Sequence, residues 1–190
     1  MGTKQHEAKE LEMTRKLKTH TVNVTEYWHY APAVYLPKIA LSGSLQPSNA
    51  GGSETETPLL WFSANQSWEP TATKMIRSLN GAAVQLTRKQ QEETLGLVRF
   101  GLPANDPRFL TWRAACLEAR IGRDERRAME RRGVKLGAEP AHWFAIERAV
   151  SLSELHLQVW EGVWRDAPNE DDLAGARSMQ LEHQRMLATA

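Results

Sequence analysis

Five side chains in this sequence have types and spacing that could do chemistry together. They are His29 and Tyr30 in "YWHYAP", Trp61 and Ser63 in "LLWFSA", and Glu147 in "WFAIERAV". An extended chain sends successive side chains to opposite faces, so Trp28 and Tyr30 share one face and His29 takes the other. A neutral imidazole in that position either sits in a core with its nitrogens satisfied or bonds a hydroxyl of a bound sugar. The same alternation pairs Trp61 with Ser63 and sends Phe62 the other way. That indole either fills a core corner or stacks on a flat ring, while the hydroxyl fixes the ring's amide or a ribose. Glu147 follows apolar and aromatic residues, among which an unpartnered carboxylate is costly to bury. It therefore faces solvent, pairs with a cation such as Arg148, or acts as a catalytic acid at the mouth of a cleft.

A second group is electrostatic. Residues 119–135 carry six arginines and one lysine against three acids, in a chain whose formal net charge is only +1. Bulk attraction to nucleic acid or anionic lipid is thus excluded, and only a local patch could supply it. Arg120, Arg123, Arg127 and Arg131 fall near one helical stripe. They form either a solvated face with local ion pairs or a docking surface for phosphate backbone or an acidic protein. The single cysteine, Cys116, lies in an apolar helical pattern and reads as a small buried residue. No cysteine–histidine cluster has metal spacing, "NEDD" at 169–172 lacks the other oxygen ligands of a metal loop, and no glycine-rich phosphate loop or hydrolase elbow occurs.

The elements that must position these residues follow from pattern. "TVNVTEYWHY" reads as a strand. "PAVYLPKIALSG" reads as a short helix with Gly43 as its C-cap. "PLLWFSA" is a second strand, and "WEPTATKMIRS" has the acid and proline of a helix start. Strands are expected at 82–87 and 94–102, a helix over 107–132, and aromatic-rich strands in "HWFAIERAVSLSEL" and "LHLQVWEGVW". Residues 1–20 read as a polar arm, 21–166 as one domain, and 167–190 as a peripheral helix. Strands and helices do not alternate regularly, so the expected class is α+β, a single mixed-sheet domain with peripheral helices. The polar N-terminus and the absence of a long apolar run point to a cytoplasmic protein without a membrane partner.

In order along the chain, "YWHYAP", "LPKIALSGSLQP", "LLWFSANQSWEPTA" and "AIERAVSL" resemble the motifs of ADP-ribosyltransferase-like domains of the His-Tyr-acid type. The rifampin-modifying and DNA-targeting toxin transferases belong to that group. The resemblance spans roughly residues 26–151 and implies a split β-sandwich that uses NAD as co-substrate. It implies that His29, with Tyr30 beside it, holds the adenosine-side ribose, that Trp61 stacks on nicotinamide, and that Ser63 braces the strand or the nicotinamide ribose. Glu147 would be the catalytic acid, with Glu154, Glu161 and Asp106 as alternatives at that position. The resemblance leaves open the acceptor of ADP-ribose, with nucleic acid reached through Arg120, Arg123, Arg127 and Arg131 as one candidate. It also leaves open a toxin or defence role, and an inactive nucleotide- or nucleic-acid-binding module on the same fold.

Overall fold

A computed structural model describes residues 24–48, 55–77 and 81–167. The polar arm expected at 1–20, residues 49–54 and the helix expected at 167–190, apart from Ala167, lie outside the described residues. The elements run β1 (Glu26–Pro32), α1 (Leu36–Ser42), β2 (Ser44–Leu45), β3 (Leu60–Ser63), β4 (Met75–Arg77) and β5 (Ala83–Gln85). They continue with α2 (Arg88–Leu95), β6 (Leu97–Pro103), β7 (Leu110–Thr111), α3 (Trp112–Glu118), α4 (Arg123–Lys135), β8 (Trp143–Ile146), β9 (Val150–Ser151), β10 (His156–Trp160) and β11 (Trp164–Asp166).

The fold is α+β. One seven-stranded sheet has the order β11-β10-β6-β1-β3-β8-β7, and the short pairs β2–β9 and β4–β5 stand apart from it. A mixed sheet was the expectation; every described ladder is antiparallel instead. Alternation in β1 then sorts the core. On one face Ala31, Leu60, Phe62, Val98, Phe100, Leu102 and Ile146 pack under Leu36 of α1 and under Leu45 and Val150 of the β2–β9 pair. On the other face Trp112 and Cys116 of α3 pack with Trp143 and Ala145 of β8. Gly133 lets α4 approach that layer, because a Cβ there would stand 2.4 Å from the Trp143 ring.

Local chemistry explains where the sequence pattern succeeded and failed. Gly43 caps α1 at φ 68°, the left-handed conformation that closes a helix most cheaply with glycine. The helix expected from Trp68 is only a 3-10 turn, Pro70–Ala72, capped by Glu69 accepting from the Thr71 amide. It stops there because Lys74 turns its amide to Gln91 Oε1 at 2.7 Å and its carbonyl to the Leu86 amide. The strand expected at 94–102 starts only at Leu97, since Thr94 and Leu95 finish α2. That helix shows no apolar stripe; its visible sign is the reciprocal Thr87–Gln90 capping box. The helix expected over 107–132 is two helices, broken where Arg120 takes φ 61° and the Ile121 amide bonds the Cys116 carbonyl. The break buries both Ala119 and Ile121 in the α3 layer. It also removes Arg120 from the stripe expected of the helix arginines.

Candidate functional site

The two edges of β1 are built differently. Against β6 it pairs along its whole length, from Glu26↔Pro103 to Pro32↔Leu97. Against β3 it makes one pair, Trp28↔Ser63, and there the ladder ends. His29 and Tyr30 are the next residues along β1, and Trp61 lies just beyond the same pair on β3, so this fork gathers both motifs.

His29 bridges the fork. Its Nδ1 lies 2.8 Å from the Trp61 carbonyl oxygen. A carbonyl only accepts, so Nδ1 carries the proton and Nε2 is left as a lone-pair acceptor. The ring packs edge-on to Phe62 at 5.9 Å and beside Phe100 at 6.4 Å. Burial lowers its pKa to about 4, partly offset by the Trp61 carbonyl and aided by the charge of Lys74, so the imidazole is neutral at pH 7. As a residue it is only half-buried.

The other sequence-identified residues fall on or near this fork with different partners. Tyr30 projects to the opposite face from His29, where its hydroxyl donates to the Asn65 carbonyl at 2.6 Å and its ring meets Trp68 at 5.0 Å. Burial pushes its pKa up to about 12, so the phenol is neutral. Trp61 also takes that face: its half-buried indole lies 5.6 Å from Trp112. Ser63 is 2% exposed and its hydroxyl is fully employed, donating to Glu69 Oε2 at 2.7 Å and accepting from the Asn65 amide at 3.1 Å. It braces the turn after β3. His29 therefore meets the backbone of Trp61, while the imidazole and indole rings occupy opposite faces of the sheet.

Glu147 is not inside a strand. The chain leaves the sheet at Ile146, and Glu147 sits exposed in the bend that follows. The expected desolvation problem therefore does not arise. The pairing Leu60↔Ile146 puts this bend at the same end of the sheet toward which the β1–β3 fork opens. Glu147 has no hydrogen bond or ion pair with another described residue. Its alternatives are occupied: Asp106 and Glu154 both grip Arg108 at 2.8 Å, and Glu161 reaches Arg165 at 3.3 Å.

Beside the fork lies a cation–aromatic stack that sequence reading missed. The Arg99 guanidinium, 6% exposed as a residue, sits 3.8 Å from the Trp28 ring centre and 4.5 Å from that of Trp164. Its Nε and Nη2 both donate to Gln158 Oε1. Arg88 lies 4.2 Å from the Trp160 centre and 5.5 Å from that of Trp68. The visible signal was the density of tryptophan in "NQSWEPT" and "VWEGVW", but nothing local in the sequence pairs these with two distant arginines. At the outer edge His156 is held between Glu26 at 3.1 Å and Asp166 at 2.8 Å.

Grooves form elsewhere, on α3 and α4. Arg127, Glu130, Arg131 and Val134 line one of about 540 Å³; Arg113, Leu117, Ile121, Arg123 and Arg126 line much of another of about 420 Å³. Cys116 touches the second, but burial pushes its thiol up to about 12, which removes it as a nucleophile. Among the described residues no helix is long and apolar enough to cross a membrane, and no group of three or more His, Cys, Asp or Glu could hold a metal. No family model, curated protein or solved structure matches this chain.

Proposed function

We propose that the chain is an NAD-dependent ADP-ribosyltransferase, with the sheet split at the β1–β3 fork serving as the split sandwich of that group. The observation that carries the reading is the ladder's end at Trp28↔Ser63, beside which a neutral, half-buried imidazole keeps an acceptor nitrogen with no partner among the described residues. The unpaired Glu147 at the same end of the sheet supports it.

The reaction breaks the bond between nicotinamide nitrogen and ribose C1′. Nicotinamide leaves as a neutral base with the bonding electrons, and positive charge develops on the ribose as in glycoside cleavage. An acceptor oxygen or nitrogen then bonds C1′ and gives up its proton. His29 Nε2 accepts a hydrogen bond from a hydroxyl of the adenosine-side ribose. Trp61 fixes His29 through its carbonyl, while its own indole lies on the other face of the sheet against Trp112. Ser63 and Glu69 hold the turn that carries Tyr30's partner, Asn65. Glu147 accepts from the ribose hydroxyl beside C1′ and opposes the developing charge. A preorganised charge of this kind contributes about 10²- to 10³-fold in rate.

The test is nicotinamide release from NAD, with Glu147→Gln as comparison. The expected result is release by the parent and a loss of about 10²- to 10³-fold in the variant, at unchanged thermal stability because the side chain is exposed and has no partner among the described residues. A parent that releases no nicotinamide, with cell lysate supplied as a source of acceptors, removes this reading.

One observation favours a second reading, a nucleic-acid-binding module without turnover. Arg123, Arg127 and Arg131 recur every fourth residue on α4, border the grooves, and have no ion-pair partner among the described residues. That reading requires binding that weakens steeply with salt and is lost in the triple alanine variant, with His29→Ala harmless.

A further inference from the structure

Three arginines show the same side-on fork, the Nε–H and Nη2–H edge of the guanidinium. In Arg108 it grips both oxygens of Asp106, and in Arg99 it closes on Gln158 Oε1. In Arg88 both atoms are buried and neither has a partner among the described residues. Two more buried donors likewise lack partners among those residues, Trp160 Nε1 and Gln91 Nε2. Trp160 is the ring on which the Arg88 guanidinium rests. Gln91 stands three residues along α2, on the same helical face. Buried donors are satisfied in native proteins with few exceptions, and an exception calls for a water, an ion or a ligand. These four atoms, two on the Arg88 cation and one each on Trp160 and Gln91, are all donors and ask for a ligand rich in acceptor oxygens and bearing negative charge.

We propose that Arg88, Gln91 and Trp160 form a phosphate-binding subsite, which takes the pyrophosphate of the dinucleotide co-substrate. The naming of that pyrophosphate rests on the NAD reading; the recognition of phosphate rests on the donors alone. Arg88 supplies a bidentate grip on two oxygens of one phosphate group, the geometry it shares with Arg108. Trp160 Nε1–H and the Gln91 amide donate to further oxygens. Gln91 is itself held in place, because its Oε1 accepts from the Lys74 backbone amide at 2.7 Å. Tyr30 packs on Trp68 at 5.0 Å beneath Arg88, so the subsite lies on the sheet face that carries Tyr30 and Trp61, opposite the imidazole of His29. Arg88 and Trp160 are each only half-buried, so a rotation of the guanidinium off the indole turns its donor edge outward. The stacked arrangement is then the resting position of the arginine.

The experiment titrates inorganic pyrophosphate and ADP-ribose by calorimetry into the parent, Arg88→Gln, Arg88→Lys and Trp160→Phe. Nicotinamide release is measured on the same four proteins. The phenyl ring keeps the stack while removing the N–H, so Trp160→Phe remains informative if the arginine variants fold poorly. The expected outcome is binding of both probes by the parent, at least tenfold weaker in both Arg88 variants and three- to tenfold weaker in Trp160→Phe. Lysine fails to rescue because it has charge without the fork. Binding that depends on Arg88 without nicotinamide release upholds the subsite and removes the transferase reading. Nicotinamide release with KM for NAD unchanged in Arg88→Gln removes the subsite and keeps the transferase. Equal affinity for pyrophosphate in parent and Trp160→Phe, or none at millimolar concentration in the parent, overturns the proposal.

Discussion

Strand β1 has one edge made for rigidity and one left open. Toward β6 it is paired throughout, and its side chains Trp28 and Tyr30 join a stack with Arg99, Trp164 and Trp68. Toward β3 the ladder stops after one pair, and a single imidazole-to-carbonyl bond spans the gap. The closed edge is held by continuous backbone pairing, whereas the open edge leaves His29 Nε2 without a partner among the described residues. A site can be held to fractions of an ångström only when its support is stiff, so the stack on one side is what allows the fork on the other.

The sharpest way to break this comparison is to remove the closed edge. Arg99→Ala takes a buried guanidinium from between two indoles and strands Gln158 Oε1 and the Gln66 carbonyl, which accepts from Nη1. We expect a loss of about 4 kcal/mol, read by urea denaturation, since cavity and lost hydrogen bonds act together. A loss under about 1 kcal/mol would mean that the stack is not the support.

Acid probes the open edge. The pKa of His29 is lowered to about 4, chiefly by burial, against about 6.5 in the unfolded chain. Between those values the unfolded chain binds more protons, so stability is full above about pH 6.5 and falls as pH drops toward 4. The slope reaches up to about 1.4 kcal/mol per pH unit, or roughly 3 kcal/mol in all. His29→Gln, whose amide can still donate to the Trp61 carbonyl, should flatten that slope in denaturation series at pH 7, 6, 5 and 4. An unchanged slope would mean that the ring is not desolvated.

The smallest effect comes at the rim of the closed edge. Burial alone would lower the pKa of His156, but the carboxylates of Glu26 and Asp166 override it and raise it. Its contribution is therefore complete below about pH 6.5 and is lost as pH rises through the raised value. The side chain is 39% exposed, so His156→Gln should cost under about 1 kcal/mol at pH 6 and nothing at pH 9. Equal costs at both pH values would assign the residue to packing alone.

Some of this was legible in the sequence. Alternation gave the faces of β1 and β3, because period-two patterning is imposed by the pleat itself, and Gly43 marked the end of α1. Glu147 was misread as a strand residue because nothing local shows that the chain turns out at Ile146. The single-helix reading of 107–132 failed for a tertiary reason: burying Ala119 and Ile121 outweighs the strain at Arg120. The Trp–Arg stack joins residues up to 136 positions apart, from Trp28 to Trp164, and no window of sequence contains it.

The most direct test of the fork is ¹⁵N NMR of the His29 imidazole as NAD is added at pH 7. The account predicts a free protein protonated at Nδ1 and bare at Nε2, and a hydrogen-bond shift of the Nε2 resonance as the nucleotide binds. A proton on Nε2 in the free protein, or an Nε2 resonance that stays put at millimolar NAD, would contradict it.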